Sequence, residues 1–218
     1  MPPEEAPPGA APREPARRLF FALWPDEAMR RAMAQAACEA ARARRGSGPG
    51  CGGRPVPADN LHVTLAFLGS VPERRLPELA EIARRAASAA QAPGESADFP
   101  RAPLELAFDH LEHWRAAQLL CAAPAEPSRP AAALAGRLQA LLAQSGFAPD
   151  LKPFRPHVTV VRKVARPGAS GRMQPVVWRF TELALIESRT LPAGARYSVV
   201  ESFPLCGAHK TPNNSESP

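Results

Sequence analysis

The chain has 218 residues, 45% of them hydrophobic and only 6% aromatic, with 27 prolines and a formal net charge of +6. That length fits one domain or two intimately packed lobes, with enough apolar mass, much of it alanine, for a core. No apolar run reaches the length of a membrane span or reads as a secretory leader: residues 19–24 are too few, and Pro25-Asp26-Glu27 follows them.

Residues 1–16 are rich in Pro, Glu and Ala, and residues 208–218 are polar. Neither stretch can bury enough apolar surface to offset its ordering entropy, so both read as disordered tails around one unit at 17–207. Residues 17–24 read as a buried strand. Pro25-Asp26 then opens a helix to Arg45, with Pro in the first turn and Asp26 and Glu27 at its positive end. The glycine-rich stretch 46–53 breaks it as a loop. A strand follows at 61–68, stopped by Gly69, and then an alanine-rich helix at 73–90. Residues 104–108 and 116–122 read as a strand pair around Asp109-His110-Leu111-Glu112-His113-Trp114. Residues 130–145 form an amphipathic helix on Leu134, Leu138, Leu141 and Leu142, with Gly146 as its stop. Strands at 156–162, 176–187 and 197–205 complete the chain, with a turn at 168–171. Each half of the sequence thus holds strands and helices, which predicts an α+β fold of two pseudo-symmetric lobes.

Leu61-His62-Val63-Thr64-Leu65 and Pro156-His157-Val158-Thr159-Val160 repeat one pattern roughly a hundred residues apart, as two copies of one structural unit would. In an extended strand, residues two apart share a face, so His62 and Thr64 project together, as do His157 and Thr159. Two such strands facing across a cleft offer two imidazoles and two hydroxyls to one charged group. That is equipment for metal-free acid–base chemistry on a phosphodiester. A single histidine in a strand is more often a satisfied structural residue, and a threonine there is often only a strand former. Recurrence of the pair among only five histidines favours function.

The remaining candidates are weaker. His110 and His113, beside Trp114, have no third ligand cluster and read as loop or surface residues rather than a metal pair. His209 lies at the edge of the tail. Phe67 suits stacking on a base as well as it suits a core position. Arg162 is at odd spacing from His157 and Thr159, so alternation sends it to the other face unless a strand end or bulge redirects it. Lys163 is in phase but stands where the strand should end. There is no phosphate-cradling G-x-x-x-x-G-K-[ST] loop and no H-E-x-x-H helix, so neither ATP nor zinc is implied, and no cofactor is expected. Cys38, Cys51, Cys121 and Cys206 are scattered without a Cys-x-x-Cys pair and read as reduced thiols of a cytoplasmic protein. The positive charge points to an anionic partner, nucleic acid foremost, although an arginine-rich composition without a patch gives the same total.

Residues 61–69 (Leu-His-Val-Thr-Leu-Ala-Phe-Leu-Gly) and 154–162 (Phe-Arg-Pro-His-Val-Thr-Val-Val-Arg) resemble the paired signature motifs of the two-histidine (2H) phosphoesterases. Within that superfamily they resemble the RNA 2′,3′-cyclic phosphodiesterases, also called 2′-5′ RNA ligases. The likeness extends to Arg18-Leu19-Phe20-Phe21-Ala22-Leu23 and to residues 197–205 at the close. Two departures stand out: the glycine-rich insert at 46–53 is longer than expected, and the first motif has few basic residues. The resemblance implies two lobes, each an antiparallel sheet backed by helices, around a V-shaped central cleft lined by both motifs.

Opening a 2′,3′-cyclic phosphate needs a deprotonated water, a protonated leaving oxygen and a hold on the developing charge. Two histidines can divide the first two tasks, one neutral and one charged. Thr64 and Thr159 hydroxyls would hold the non-bridging oxygens. The residues leave the order of the histidines open. The resemblance implies His62 as donor to the leaving 3′ oxygen, His157 as the base that activates water, a 2′-phosphomonoester product, and Arg162 as a phosphate ligand. The expected partner is RNA ending in a 2′,3′-cyclic phosphate, tRNA fragments included, with weak reverse 2′-5′ joining. Membrane and metal are not expected, and with no apolar surface stripe the expected state is a monomer. The alternatives are a phosphodiesterase for small cyclic nucleotides or 2′-5′ oligonucleotides, and a non-catalytic RNA-end-binding protein.

Overall fold

The structure, a computed structural model, describes residues 14–43, 53–88, 103–148, 153–164, 170–192 and 194–205. Among the described residues, nine strands form two antiparallel sheets. The first sheet has the order β3-β1-β8-β9, with β1 at Ala16–Leu23, β3 at Val63–Pro72, β8 at Glu182–Leu191 and β9 at Gly194–Pro204. The second has the order β2-β6-β5-β4-β7: β2 Arg54–Pro55, β6 Val158–Arg162, β5 Leu119–Ala123, β4 Leu104–Trp114 and β7 Gly171–Phe180. Setting aside the two-residue β2, the first sheet matches β6-β5-β4-β7 strand for strand. The two His-x-Thr strands, β3 and β6, thus hold equivalent places beside β1 and β5.

Helix α1 (Glu27–Ala43) starts where Asp26 Oδ1 accepts the Met29 N–H at 2.7 Å, so Asp26 is the cap and Pro25 stands outside the first turn. Its apolar stripe, Met33, Ala36, Ala37 and Ala41, faces the core against β7, where the Trp178 indole N–H donates to the Met29 carbonyl at 3.0 Å. Helix α2 (Leu76–Ser88) buries Leu79, Ile82, Ala83 and Ala86 against β8, β9 and helix α3. Helix α3 (Arg129–Gln144) is capped by the Ser128 hydroxyl, carries Pro130 in its first turn, and buries Leu134, Leu138, Leu141 and Leu142. One continuous core therefore lies between the sheets' back faces and the helices. A smaller apolar group, Phe20, Ala22, Ala184 and Ile186, covers the opposite face of the first sheet. Among the described residues, no helix is long and apolar enough to cross a membrane.

The lobes are not the two halves of the sequence. The last hairpin, β8–β9, returns to the first sheet, while α1 leaves its own strands to pack on the second. Among the described residues, nine strands replace the seven expected. The apolar run 176–187 splits at Thr181 into the end of β7 and the start of β8, because both strands are apolar up to the break and period alone hides it. Residues 109–114 continue β4 instead of looping: His110 and His113 are half-buried strand residues, paired with Ala123 and Leu120 of β5. The second strand of that pair starts at Leu119, since 115–118 form the turn. Gly69 does not stop β3. It takes φ +73° inside the strand, next to a register shift against β1 that leaves Leu68 without an opposite residue. Helix α2 begins at Leu76 after a 3₁₀ turn at Glu73–Arg75. On the amino-terminal side, Ala16 already pairs with Pro72, and the Pro15 carbonyl accepts from Glu73 N at 2.9 Å. The two tails beyond these residues, the loop 46–52 and residues 168 and 169 of the turn lie outside the described residues.

Gly53 precedes β2 with φ +140°, and a Cβ there would stand 2.8 Å from Val161 Cγ1 and 2.9 Å from the Arg162 carbonyl oxygen. Gly53→Ala is therefore expected to push β2 away from β6 and cost about 1–3 kcal/mol, read as a lower urea midpoint at unchanged m-value.

Candidate active site

Each motif histidine sits one residue before its strand, held by the same bond. His62 Nδ1 lies 2.7 Å from the Asn60 carbonyl oxygen and His157 Nδ1 lies 2.8 Å from that of Arg155. A carbonyl only accepts, so Nδ1 carries the proton in both rings and Nε2 is the nitrogen left for chemistry. His62 Nε2 accepts the Thr64 hydroxyl at 3.0 Å, which confirms that these side chains share a face. Thr159 Oγ1 stands 3.9 Å from Cys121 Sγ on the second sheet.

The two strands match residue for residue. Thr64 opposes Ala22 and Thr159 opposes Cys121. In both strands the next residue, Leu65 or Val160, has no opposite partner, so each strand carries a bulge at the same place. The bulge resets the alternation. Leu65 and Ala66 turn to the core, as do Val160 and Val161, and the fifth residue after each histidine comes back toward the cleft side. In β3 that residue is Phe67, 41% exposed and lining the cleft; in β6 it is Arg162, also exposed. Strict alternation sends Arg162 to the wrong face, and the bulge is what corrects it. Its charge bears directly on His62. Lys163 lies past the strand end, at φ +58°.

A cavity of about 490 Å³ joins the lobes. Thr64 and Phe67 of β3 line one side, and Trp114, Phe154, Arg155 and His157 the other. The two histidines have different surroundings. His62 is enclosed by aromatic rings: Phe20 at 4.9 Å between centroids, Trp24 stacked at 5.7 Å and Tyr197 edge-on at 5.2 Å. Its pKa is pushed down to about 4, chiefly by burial and also by the charges of Arg162 and His157, against the Asn60 carbonyl that favours the cation. His157 packs on Trp114 at 4.3 Å. Burial lowers its pKa too, as does the Arg155 charge, while the Arg155 carbonyl and Glu112 oppose the shift. Glu112 Oε2 accepts from both Trp114 Nε1 (2.9 Å) and Arg155 Nη2 (3.0 Å). Cys121 is fully buried on the cleft side of the second sheet, and burial pushes its thiol pKa up to about 12, so it is no nucleophile at neutral pH.

Asp109 Oδ1 faces His110 Nδ1 at 2.8 Å, and His113 Nε2 bonds to the Val164 carbonyl at 3.2 Å. Among the described residues, no group of three or more His, Cys, Asp and Glu is spaced to hold a metal ion. The sequence reading missed Trp24, Trp114, Tyr197 and Glu112, which reach a histidine only through strand pairing or a turn, and Arg155, which stands two residues before His157. Phe20 and Tyr197 lay inside the segments that resemble the family, which was their one local signal.

A profile described as the 2′-5′ RNA ligase superfamily matches residues 29–191. The RNA 2′,3′-cyclic phosphodiesterase of Thermus thermophilus is 32% identical over 199 residues, covering 88% of this chain and 92% of the relative. The Escherichia coli K12 protein of the same description is 30% identical over 161 residues, covering 70% and 80%. Among solved structures, E. coli LigT complexed with 3′-AMP aligns with TM-score 0.70 and 27% identity over 88% of this chain and 99% of that one. TT0787 of T. thermophilus aligns with TM-score 0.63 and 28% identity over 88% and 100%. With two antiparallel sheets meeting at a pair of matched His-x-Thr strands, and with sequence likeness along most of its length, the chain belongs to the 2′-5′ RNA ligase superfamily.

Proposed function

We propose that this chain hydrolyses 2′,3′-cyclic phosphodiester ends of RNA to 2′-phosphomonoesters, with His62 and His157 as the acid–base pair and no metal. The observation that carries this reading is the duplicated tether. Two imidazoles in symmetry-matched positions each spend Nδ1–H on a backbone carbonyl and keep Nε2 for the cleft. The description shared by the Thermus and Escherichia relatives agrees with it.

In this mechanism the cyclic phosphate lies between the rings. The Thr64 hydroxyl leaves His62 Nε2 and turns to a non-bridging oxygen, and Thr159 holds the other from the opposite lobe. His157 Nε2 takes a proton from water as its oxygen bonds to phosphorus. His62 Nε2–H gives its proton to the 3′ oxygen as the P–O3′ bond breaks, leaving the phosphate on O2′. Arg162 holds the negative charge on phosphorus. The substrate's charge also offsets the cation that depresses His62, so binding itself favours the protonated, acid-competent ring. Joining of 2′-5′ ends is the same displacement with a ribose 5′-hydroxyl in place of water: the 5′-O–P bond forms as P–O3′ breaks. Action on tRNA fragments, a cytoplasmic location and a monomeric state belong to the same proposal, supported by the basic composition and the scattered cysteines.

His62→Ala and His157→Ala should each slow opening of a cyclic-phosphate oligonucleotide by about a hundred- to ten-thousand-fold, and the unmodified protein should keep its rate in EDTA. Full rate in either variant removes that role. Loss in EDTA with recovery on adding a divalent ion replaces the mechanism with a metal-assisted one, and a 3′-phosphate product reverses the leaving-group assignment.

Because both free-protein histidines titrate below the ordinary 6.5, the bell of kcat/KM against pH should peak on the acid side of 6.5. That of kcat, which reports the complex, should lie higher. Arg162→Met removes a cation that lowers His62, so the acidic limb of kcat/KM should move to higher pH while KM rises. An unmoved limb shows that Arg162 does not act on the acid.

A further inference from the structure

On the Asn60 side of His62, away from Thr64, lies a second cavity of about 600 Å³, lined by Trp24, Arg30, Asp59, Asn60, Arg196 and Tyr197 among others. It adjoins His62, because Trp24 and Tyr197 of its lining are two of the rings that enclose that histidine. Arg30, in the first turn of α1, has its guanidinium carbon 5.3 Å from the Trp24 ring centroid. Its Nε and Nη1 are shielded from water and have no hydrogen-bond partner among the described residues.

Nothing on its own helix compensates that charge. The Asp26 carboxylate is engaged by Met29 N at 2.7 Å, and Glu27 pairs with Arg31 at 3.3 Å. A cation at the positive end of a helix is also disfavoured by the helix dipole. Shielded guanidinium donors without an acceptor are costly, so the arrangement is built for an anion. Arg196, exposed on β9, brings a second guanidinium to the same cavity, against the single exposed carboxylate of Asp59.

We propose that this cavity is a second anion subsite, which binds the phosphodiester one nucleotide upstream of the cyclic end through Arg30 and Arg196. It rests on the reading of the cleft as a cyclic-phosphate hydrolase. The guanidinium fork matches two phosphate oxygens. The Trp24 and Tyr197 rings stand between the two anion positions, where a ribose or base of the linking nucleotide lies against them. A strand of RNA delivers both anions on one molecule, so the second site selects oligonucleotides over cyclic mononucleotides.

The test uses two dinucleotides ending in a 2′,3′-cyclic phosphate, one with a natural internal linkage and one with a neutral methylphosphonate. Uncleavable counterparts carry a 3′-phosphate on a terminal 2′-deoxyribose. The charged linkage should bind the unmodified protein about tenfold more tightly and give a correspondingly higher kcat/KM. In Arg30→Gln the charged-to-neutral ratio should fall to about one, and in Arg196→Gln part of the way. A ratio near one in the unmodified protein, which needs no variant to fold, overturns the subsite, as does a ratio preserved in both variants. A tenfold binding ratio without opening of either cyclic end supports the subsite and overturns the proposed reaction instead.

Discussion

An imidazole has two nitrogens, and fixing one decides what the other can do. In this chain the Asn60 and Arg155 carbonyls, each two residues before its histidine, take Nδ1–H and so present Nε2 in the same orientation from both lobes. The bond is local, yet the site depends on it. A ring free to flip about χ2 would offer either nitrogen, and the Thr64 hydroxyl would lose its fixed acceptor. Because the accepting carbonyls belong to the segments entering β3 and β6, aiming the rings requires only that each strand begin in the same way.

The lobes are held in register by chain that crosses between them. β8–β9 closes the first sheet after the chain has built the second, and α1 packs on β7 with the Trp178 indole bonded to its backbone. Opening the cleft by rigid rotation would therefore strain a core that runs continuously through both sheets. This favours a preformed site, in which the residues proposed to bracket a phosphate do not have to be gathered at the time of binding.

Much of this was legible in the amino-acid sequence, for an identifiable reason. Period-2 patterning marks His62/Thr64 and His157/Thr159 without any tertiary knowledge, and the leucine spacing of 134–142 marks α3. What was not legible depended on pairing between distant strands. The bulge at Val160 appears only when β6 is laid against β5, and without it Arg162 points the wrong way. His110 and His113 read as loop because their polar run interrupts an apolar pattern, yet β4 continues through them with β5 on one edge and β7 on the other. Trp114 likewise looked like a neighbour of those histidines and turned out to be a neighbour of His157. The break at Thr181 had no turn-forming glycine, proline or asparagine to announce it.

Symmetry of the motifs does not extend to their surroundings, and that difference acts unequally on the charged forms of two identical side chains. Phe20, Trp24 and Tyr197 enclose His62 without a carboxylate, so its charged form is opposed by burial and by the Arg162 cation alike. His157 has Glu112 nearby, which partly offsets both burial and the Arg155 charge. Environments that treat the charged forms of paired groups differently are how one fold separates an acid from a base. In the proposed reaction, the bound phosphate's negative charge cancels the influence of Arg162 on His62 and favours a proton there. A ring whose pKa is low without substrate makes a strong acid once the substrate has supplied the charge that lets it hold a proton.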